Sequence, residues 1–305
     1  MFARMYKTTA IDPGMVELHR KWLAGQSGGA VLNLSHQSLN DVQLEDAVLS
    51  GARFTSATFI DANLTGCDLT RAVFERAHLK HAVLNRADFS EANLQGACFD
   101  EAWCEEVQFS EALLDEASFR AAHLERARFI AVNMHRVDLS QAILTDGAFH
   151  QARFFECRLV LACLREANLS GATLTNCRLA SASLEDAILG RVRAQNCDFS
   201  HVVANGLLAP TSEFSHCNFR DADLSGADLR EANLKSSSFA GANLAGARFG
   251  GANLHLADLR GADLRGARNL TADQLGVAVT DPTTQLPNGS PGPFVKGSGA
   301  EKPGR

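Results

Sequence analysis

Residues 222–234 read ADLSGADLREANL, and leucine returns at every fifth position: Leu224, Leu229 and Leu234. Two residues before each of these stands alanine, and the residue between them is Asp or Asn. Neither an α-helix nor a long strand has a period of five. A short extended segment followed by a corner does. In an extended segment side chains alternate, so the leucine and the alanine two before it point to one side and the polar residue between them to the other. The two following residues, SG or RE here, suit a turn.

Working outward in steps of five gives 47 positions from Leu34 to Leu264 without insertion or deletion. Forty-two are Leu or Phe; the exceptions are Cys104, Met134, Ala194, Ala204 and Ala209. At the position two before, 44 of 47 are Ala, Cys, Val, Ser or Gly, and only Leu32, Gln37 and Leu207 depart. The period thus organises most of the chain, and internal repetition decides the fold before any other feature does.

The motif A(D/N)LxG, as in ANLSGATL (167–174) and ANLHLADLRGADLRGA (252–267), resembles the pentapeptide-repeat proteins over about residues 31–268. That resemblance implies an all-β solenoid, a right-handed quadrilateral parallel β-helix of about twelve coils with 20 residues in each. Stacked ~4.8 Å apart, the coils would make a rod of about 55 Å. Residues 20 apart then stack, which predicts ladders of Phe89, Phe109, Phe129 and Phe149 and of Cys157, Cys177, Cys197 and Cys217. The cysteine ladder reads as core packing, because a straight row is not the tetrahedral cage zinc prefers.

The ends predict short helical caps. In residues 1–30, DPGMVELHRKWLAG (12–25) places Asp12 as N-cap, Pro13 in the first turn and Met15, Leu18 and Trp22 at helical spacing. In residues 269–280, Thr271 with Gln274 fits a capping box. Residues 281–305 hold five of the seven prolines and read as a disordered tail.

The net charge of −6 argues against direct nucleic-acid binding. The start, MFARMYKTTAIDPGM, lacks the pattern of a signal peptide, and no run approaches the ~18 apolar residues of a membrane span. The expected location is cytoplasmic, with the eight cysteines reduced and neither membrane nor cofactor involved. No catalytic or metal-ligating constellation is evident, and a filled square core leaves no deep pocket, so the chain reads as non-enzymatic.

Three surface features are candidates for function. An interaction stripe runs through Val83, Trp103, His123, Ile143, Cys163, Ser183 and Val203, outward positions that the repeat usually fills with polar residues, with Val160 and Leu161 at the corner beside Cys163. It suits a partner protein or a second copy of the chain, with Trp103 as anchor. The adjoining corner collects an acidic edge of Glu45, Asp46, Glu105, Glu106, Glu125, Asp146, Glu166, Glu185 and Asp186, opposed by Arg86, Arg126 and Arg165. The stretch VVANGLLAPTSEF (202–214) puts Ala204, Asn205, Gly206, Leu207, Leu208, Ala209 and Pro210 where the repeat fails, and predicts an irregular loop between about Ala204 and Ser212. The first reading is a scaffold or protein-interaction module of unknown partner. The alternative, implied by resemblance to family members of that kind, is a DNA mimic that protects DNA gyrase or topoisomerase from inhibitors.

Overall fold

The computed structural model describes residues 11–303. The remainder of the N-terminal segment and residues 304–305 lie outside the described residues. The chain forms two compact units, Met1–Ala148 and Phe149–Arg305. Both are built of square coils whose sides are single parallel bridges between residues 20 apart.

One repeat of the first unit shows why the sequence folds this way. Ala82 and Leu84 are fully buried, and Val83 between them faces outward. Leu84 N–H donates to Trp103 O (2.7 Å), Arg86 N–H to Glu105 O (2.8 Å) and Asp88 N–H to Cys67 O (2.9 Å), so the ladder reaches the coil on either side. Ala87 N–H donates to Leu84 O (2.9 Å) and closes the corner. The residue before that closure, here Arg86, has φ +61. A side chain in this left-handed region costs about 1 kcal/mol, which is why Gly, Asn and Asp recur there. The N–H directly after the buried centre stands outside the ladder.

The sides are labelled by their outward residues. In the first unit Asn63, Val83, Trp103 and His123 lie on side A, Asp68, Asp88 and Gln108 on side B, Val73, Asn93 and Leu113 on side C, and His78, Cys98 and Ser118 on side D. The same count assigns Cys163, Ser183 and Val203 to side A of the second unit, Ile188 and Leu208 to side B, and Arg158 and Arg178 to side D. Three-residue strands occur on side C: β1 (Asn133–His135) in the first unit, and β2 (Arg153–Phe155), β3 (Thr173–Thr175) and β4 (Arg193–Gln195) in the second. There β2–β3–β4 form a parallel sheet in the register Arg153, Thr173, Arg193.

The interior is filled by stacked rings. In the first unit Phe99 lies on Phe119 (4.7 Å, 8°) and Phe109 on Phe129 (4.8 Å, 22°). Phe199, Phe219 and Phe239 stack likewise in the second, at 4.8 and 5.1 Å. Cys157, Cys177, Cys197 and Cys217 are buried at the small inward position, and no disulfide occurs among the described residues. Cys177 Sγ donates to Phe154 O and Cys217 Sγ to Ala194 O, both at 3.5 Å. Each thiol thus donates to a backbone carbonyl 23 residues earlier, about one coil away. Burial pushes the Cys67 thiol up to about 12, and burial likewise raises Cys104, which argues against either as a nucleophile.

The irregular loop expected at Ala204–Pro210 is absent, and that expectation is corrected. Leu208 bridges Ile188 and Asp228, Val203 bridges Ser183 and Asp223, and Glu213 bridges Arg193 and Asn233, so the coils run through 204–212 in register. Leu207 is turned inward with 1 % exposure and supplies volume that Ala204 and Ala209 lack. Pro210 falls directly after a centre, where the ladder uses no N–H, and its carbonyl still accepts from Arg191 N–H (3.1 Å). The preceding residue of a proline is restricted to extended backbone, as the centre position requires. Ser212 is buried and donates Oγ–H to Leu189 O (2.6 Å).

Helix α1 (Pro13–Leu23) starts at Asp12, whose carboxylate accepts from Gly14 N–H (2.9 Å). Its buried residues are Val16 and His19, whereas Leu18 and Trp22 are 40 % and 41 % exposed. The inward face therefore differs from the one built on Met15, Leu18 and Trp22. The cause is polar: His19 Nδ1 accepts the N–H of Leu32 (3.1 Å) at the open end of the first coil. Burial holds the His19 imidazole below its ordinary value, opposed in part by the Ser50 backbone. A free imidazole protonates near pH 6.5, and the folded one only at lower pH. The contribution of His19 to α1 docking is complete above about pH 6.5 and is lost as pH falls towards the folded value. Amide exchange in α1, corrected for intrinsic rate, is expected to accelerate on acidification in the wild type and not in His19→Leu; equal behaviour would refute this role.

Helix α2 (Ala272–Gly276) carries the reciprocal Thr271 and Gln274 bonds, and Gln274 Nε2 also donates to Phe249 O and Ala252 O, both at 2.8 Å. Residues 281–303 differ from the disordered tail that their composition suggests. Leu259 N–H donates to Val279 O, and Leu264 N–H to Gln285 O, both at 2.8 Å, while Leu286 and Thr284 are buried. The last coil presents ladder groups that need partners, and this Pro- and Gly-rich segment satisfies them through its backbone.

Candidate interaction surfaces

Side A of the first unit assembles the first half of the stripe. Val83, Trp103, His123 and Ile143 are consecutive bridge partners. The Trp103 ring lies flat on His123, with centroids 4.0 Å apart and planes within 3°, and the residue is 50 % exposed. Val83, His123 and Ile143 are half-buried beside it. In the second unit Cys163, Ser183 and Val203 are bridge partners on side A, with Val203 42 % exposed, and Leu161 at the adjoining corner is 55 % exposed. Val160 is half-buried. Leu161 has φ +60, so a bulky residue occupies the strained corner position.

The corner between sides A and B holds the acidic edge, and much of it is internally bonded. Arg126 binds Glu106 (3.0 Å) and also Glu105. Glu45 accepts from Asn63 Nδ2 (2.7 Å), and Glu125 lies 3.6 Å from His123 Nδ1. In the second unit Glu185 accepts from Ser183 Oγ, and Glu166 and Asp186 follow the same corner. Asp46, Glu105, Glu106, Glu125 and Asp146 share this edge in the first unit, where Arg86 and Arg126 interrupt the negative line.

Two surfaces escaped the sequence reading. Ile188 and Leu208, 36 % and 45 % exposed, are bridge partners on side B of the second unit, although the repeat normally places polar residues there. Exposed arginines also occur on two sides of the same unit, Arg153 and Arg193 on side C and Arg158 and Arg178 on side D, with Arg191 at the corner between sides B and C. Phasing every charge modulo 20 would have found them. The charge is divided unevenly: thirteen Lys and Arg oppose twenty Asp and Glu up to Ala148, a balance of −7, and sixteen oppose fifteen from Phe149 onward.

A polar groove follows another corner of the first unit, beside Gly96, where Glu116 pairs with Arg136 at 2.7 Å. Its charged groups are drawn into pairs along the corner rather than converging on one point. Among the described residues no group of three or more His, Cys, Asp or Glu is placed to hold a metal ion, and no helix is long and apolar enough to cross a membrane.

The family model of pentapeptide repeats matches in eight copies, among them residues 33–66, 67–102, 108–146, 133–171, 162–201, 212–251 and 237–268. None of the curated proteins compared matches the chain. Among solved structures the chain is similar to HetL of the cyanobacterium Nostoc sp. strain PCC 7120, a pentapeptide repeat protein involved in heterocyst differentiation regulation. The identity is 25 %, the TM-score 0.30, and the match covers 92 % of this chain and 100 % of that one. It is also similar to a pentapeptide repeat protein from the Arabidopsis thaliana thylakoid lumen, with 24 % identity, TM-score 0.23 and coverage of 36 % and 69 %. QnrB1, a plasmid-mediated fluoroquinolone resistance protein, matches with 19 % identity, TM-score 0.25 and coverage of 52 % and 87 %. At these scores the likenesses carry no functional assignment.

Proposed function

The chain belongs to the pentapeptide-repeat family, and on that premise we propose that it acts as a non-enzymatic protein-interaction module through side A and the acidic edge of its first unit. The observation that carries this reading is Trp103. It stands half exposed at an outward position, and its ring is already immobilised against His123. A preordered aromatic anchor loses little side-chain entropy on binding, and carboxylates on the next corner supply a polar rim. Such a surface fits a partner with an apolar pocket and basic surroundings. The reduced, buried thiols suit a cytoplasmic working place.

The test is capture of a partner from native lysate by the wild type and by a Trp103→Asp, Ile143→Asp variant. Loss of a buried Trp anchor costs at least about 2 kcal/mol, roughly thirtyfold in affinity. Unchanged capture by the variant would reject the reading.

A second reading is favoured by one specific observation, the −7 balance of the first unit: a DNA-imitating surface that protects gyrase or topoisomerase from inhibitors. Against it, duplex DNA carries a charge every ~1.7 Å along its axis, whereas acidic rungs here are ~4.8 Å apart and are broken by Arg86 and Arg126. Gyrase supercoiling with an inhibitor present distinguishes the two: rescue by the wild type that is lost on reversing Glu105 and Glu106 supports mimicry, and no effect on gyrase leaves the first reading.

A further inference from the structure

We propose that the cysteine row of the second unit is a binding site for a single Cu(I) ion, held in line between the thiolates of Cys177 and Cys197. This goes beyond the interaction reading and uses none of its residues.

The thiols repeat one pose from coil to coil. Arg158, Arg178, Asp198 and Asn218 follow one another as bridge partners, so the cysteine before each of them stands one rung from the next. Cys177 Sγ lies 3.5 Å from Phe154 O, Cys197 Sγ 3.5 Å from Leu174 O and Cys217 Sγ 3.5 Å from Ala194 O, three copies of one geometry. Sulfurs set alike in the coil inherit its rise of ~4.8 Å. By contrast Cys67 is stacked between Ala47 and Ala87, and Cys104 between Leu84 and Leu124.

That spacing selects the ion. Two metal–thiolate bonds of ~2.3 Å placed end to end span about 4.6 Å, so an ion on the line between neighbouring sulfurs requires almost no movement of the coil. A disulfide needs the sulfurs to close to about 2.05 Å, and zinc needs a tetrahedron that a straight row does not offer. Among metals that favour soft thiolates, Cu(I) accepts two of them in line, and two ligands suffice.

On binding, two S–H groups lose their protons to solvent as two S–Cu bonds form. No electron is transferred, and the site carries one net negative charge. Its surroundings favour that charge. In the free chain the side chains of Cys177 and Cys217 hold the Cys197 thiol below its ordinary value; burial opposes them, and the backbone N–H groups of Cys177 and Gln195 add to the lowering. With the ion in place, the S–H groups of Cys157 and Cys217 donate to the two thiolates from either end of the row. Arg158 and Arg178, the outward residues next to Cys157 and Cys177, add positive charge over it.

The experiment is anaerobic loading of the full chain with Cu(I), both on the folded protein and during refolding from urea. A chromogenic Cu(I) chelator then competes for the metal, and X-ray absorption at the copper edge counts its neighbours. One ion per chain is expected to resist the chelator, with two sulfurs bound. Cys177→Ala with Cys197→Ala leaves thiols three rungs apart and abolishes retention. Cys157→Ala with Cys217→Ala keeps both ligands and weakens binding by about ten- to a hundredfold, the usual cost of removing the outer partners of metal ligands. Alanine occupies the same inward position at Ala162, Ala167 and Ala172, so these variants keep the coil, which circular dichroism checks. A wild type that surrenders all its copper after both loading routes overturns the proposal. So does equal retention by the Cys177→Ala, Cys197→Ala variant, or an ion bound by three or more sulfurs.

Discussion

Leu207→Ala is expected to lower stability by about 3 to 5 kcal/mol, the upper part of the range for a buried leucine. The reason is local: the centres on this coil include Ala204 and Ala209, so Leu207 fills space that no neighbour can take over. The coil remains in register through Leu208 and Glu213, which prevents collapse around the lost volume. A fall in the urea midpoint reads the effect. Adding Ala209→Leu to Leu207→Ala restores the usual order of large and small and should recover at least half the loss. Pro210→Ala should change stability by less than about 1 kcal/mol, because the regained N–H has no place in the ladder. A Leu207→Ala cost below about 1 kcal/mol would contradict the packing described.

Phe109→Ala is expected to destabilise the first unit by about 4 kcal/mol. Its ring stacks on Phe89 (5.5 Å, 17°) and on Phe129 (4.8 Å, 22°), and meets Phe99 and Phe119 edge-on at 5.9 and 5.4 Å. Stacked and edge-to-face pairs add about 0.5 to 1.5 kcal/mol beyond area burial. Phe109→Leu keeps most of the volume and places a residue used at many other centres, so its cost should be about 1 kcal/mol. Equal effects of the two substitutions would mean that the ring stack contributes nothing beyond hydrophobic volume.

These contrasts show what could be read from residues alone. Inward and outward roles were legible at Ala82, Val83 and Leu84 because alternation along an extended segment is a local property. The stripe through Val83, Trp103, His123 and Ile143 needed only the step from five residues to a coil of twenty. The stretch 202–214 reads as a break in the repeat only in isolation, because its compensations act between coils. Leu207 fills a neighbour's space, Ser212 bonds a carbonyl 23 residues back, and Pro210 occupies a position whose N–H is unused, none of which one pentapeptide reveals. The inward face of α1 departs from its apolar spacing for a related reason. Its apolar spacing favours Leu18 and Trp22, but the open coil end needs an acceptor, and His19 provides one. The C-terminal segment follows the same rule, since backbone donors at Leu259 and Leu264 order a stretch whose own side chains predict little.

For function the decisive question is whether side A differs from any other exposed apolar position on the coil. Trp103 on side A and Leu113 on side C are 50 % and 53 % exposed and lie in the same unit, so accessibility does not separate them. A photoreactive phenylalanine analogue placed at either position and irradiated in native lysate tests the account directly. Side A as the interaction surface predicts a discrete cross-linked adduct from position 103 and none from position 113. Equal labelling at both, or adducts from position 113 alone, would contradict it.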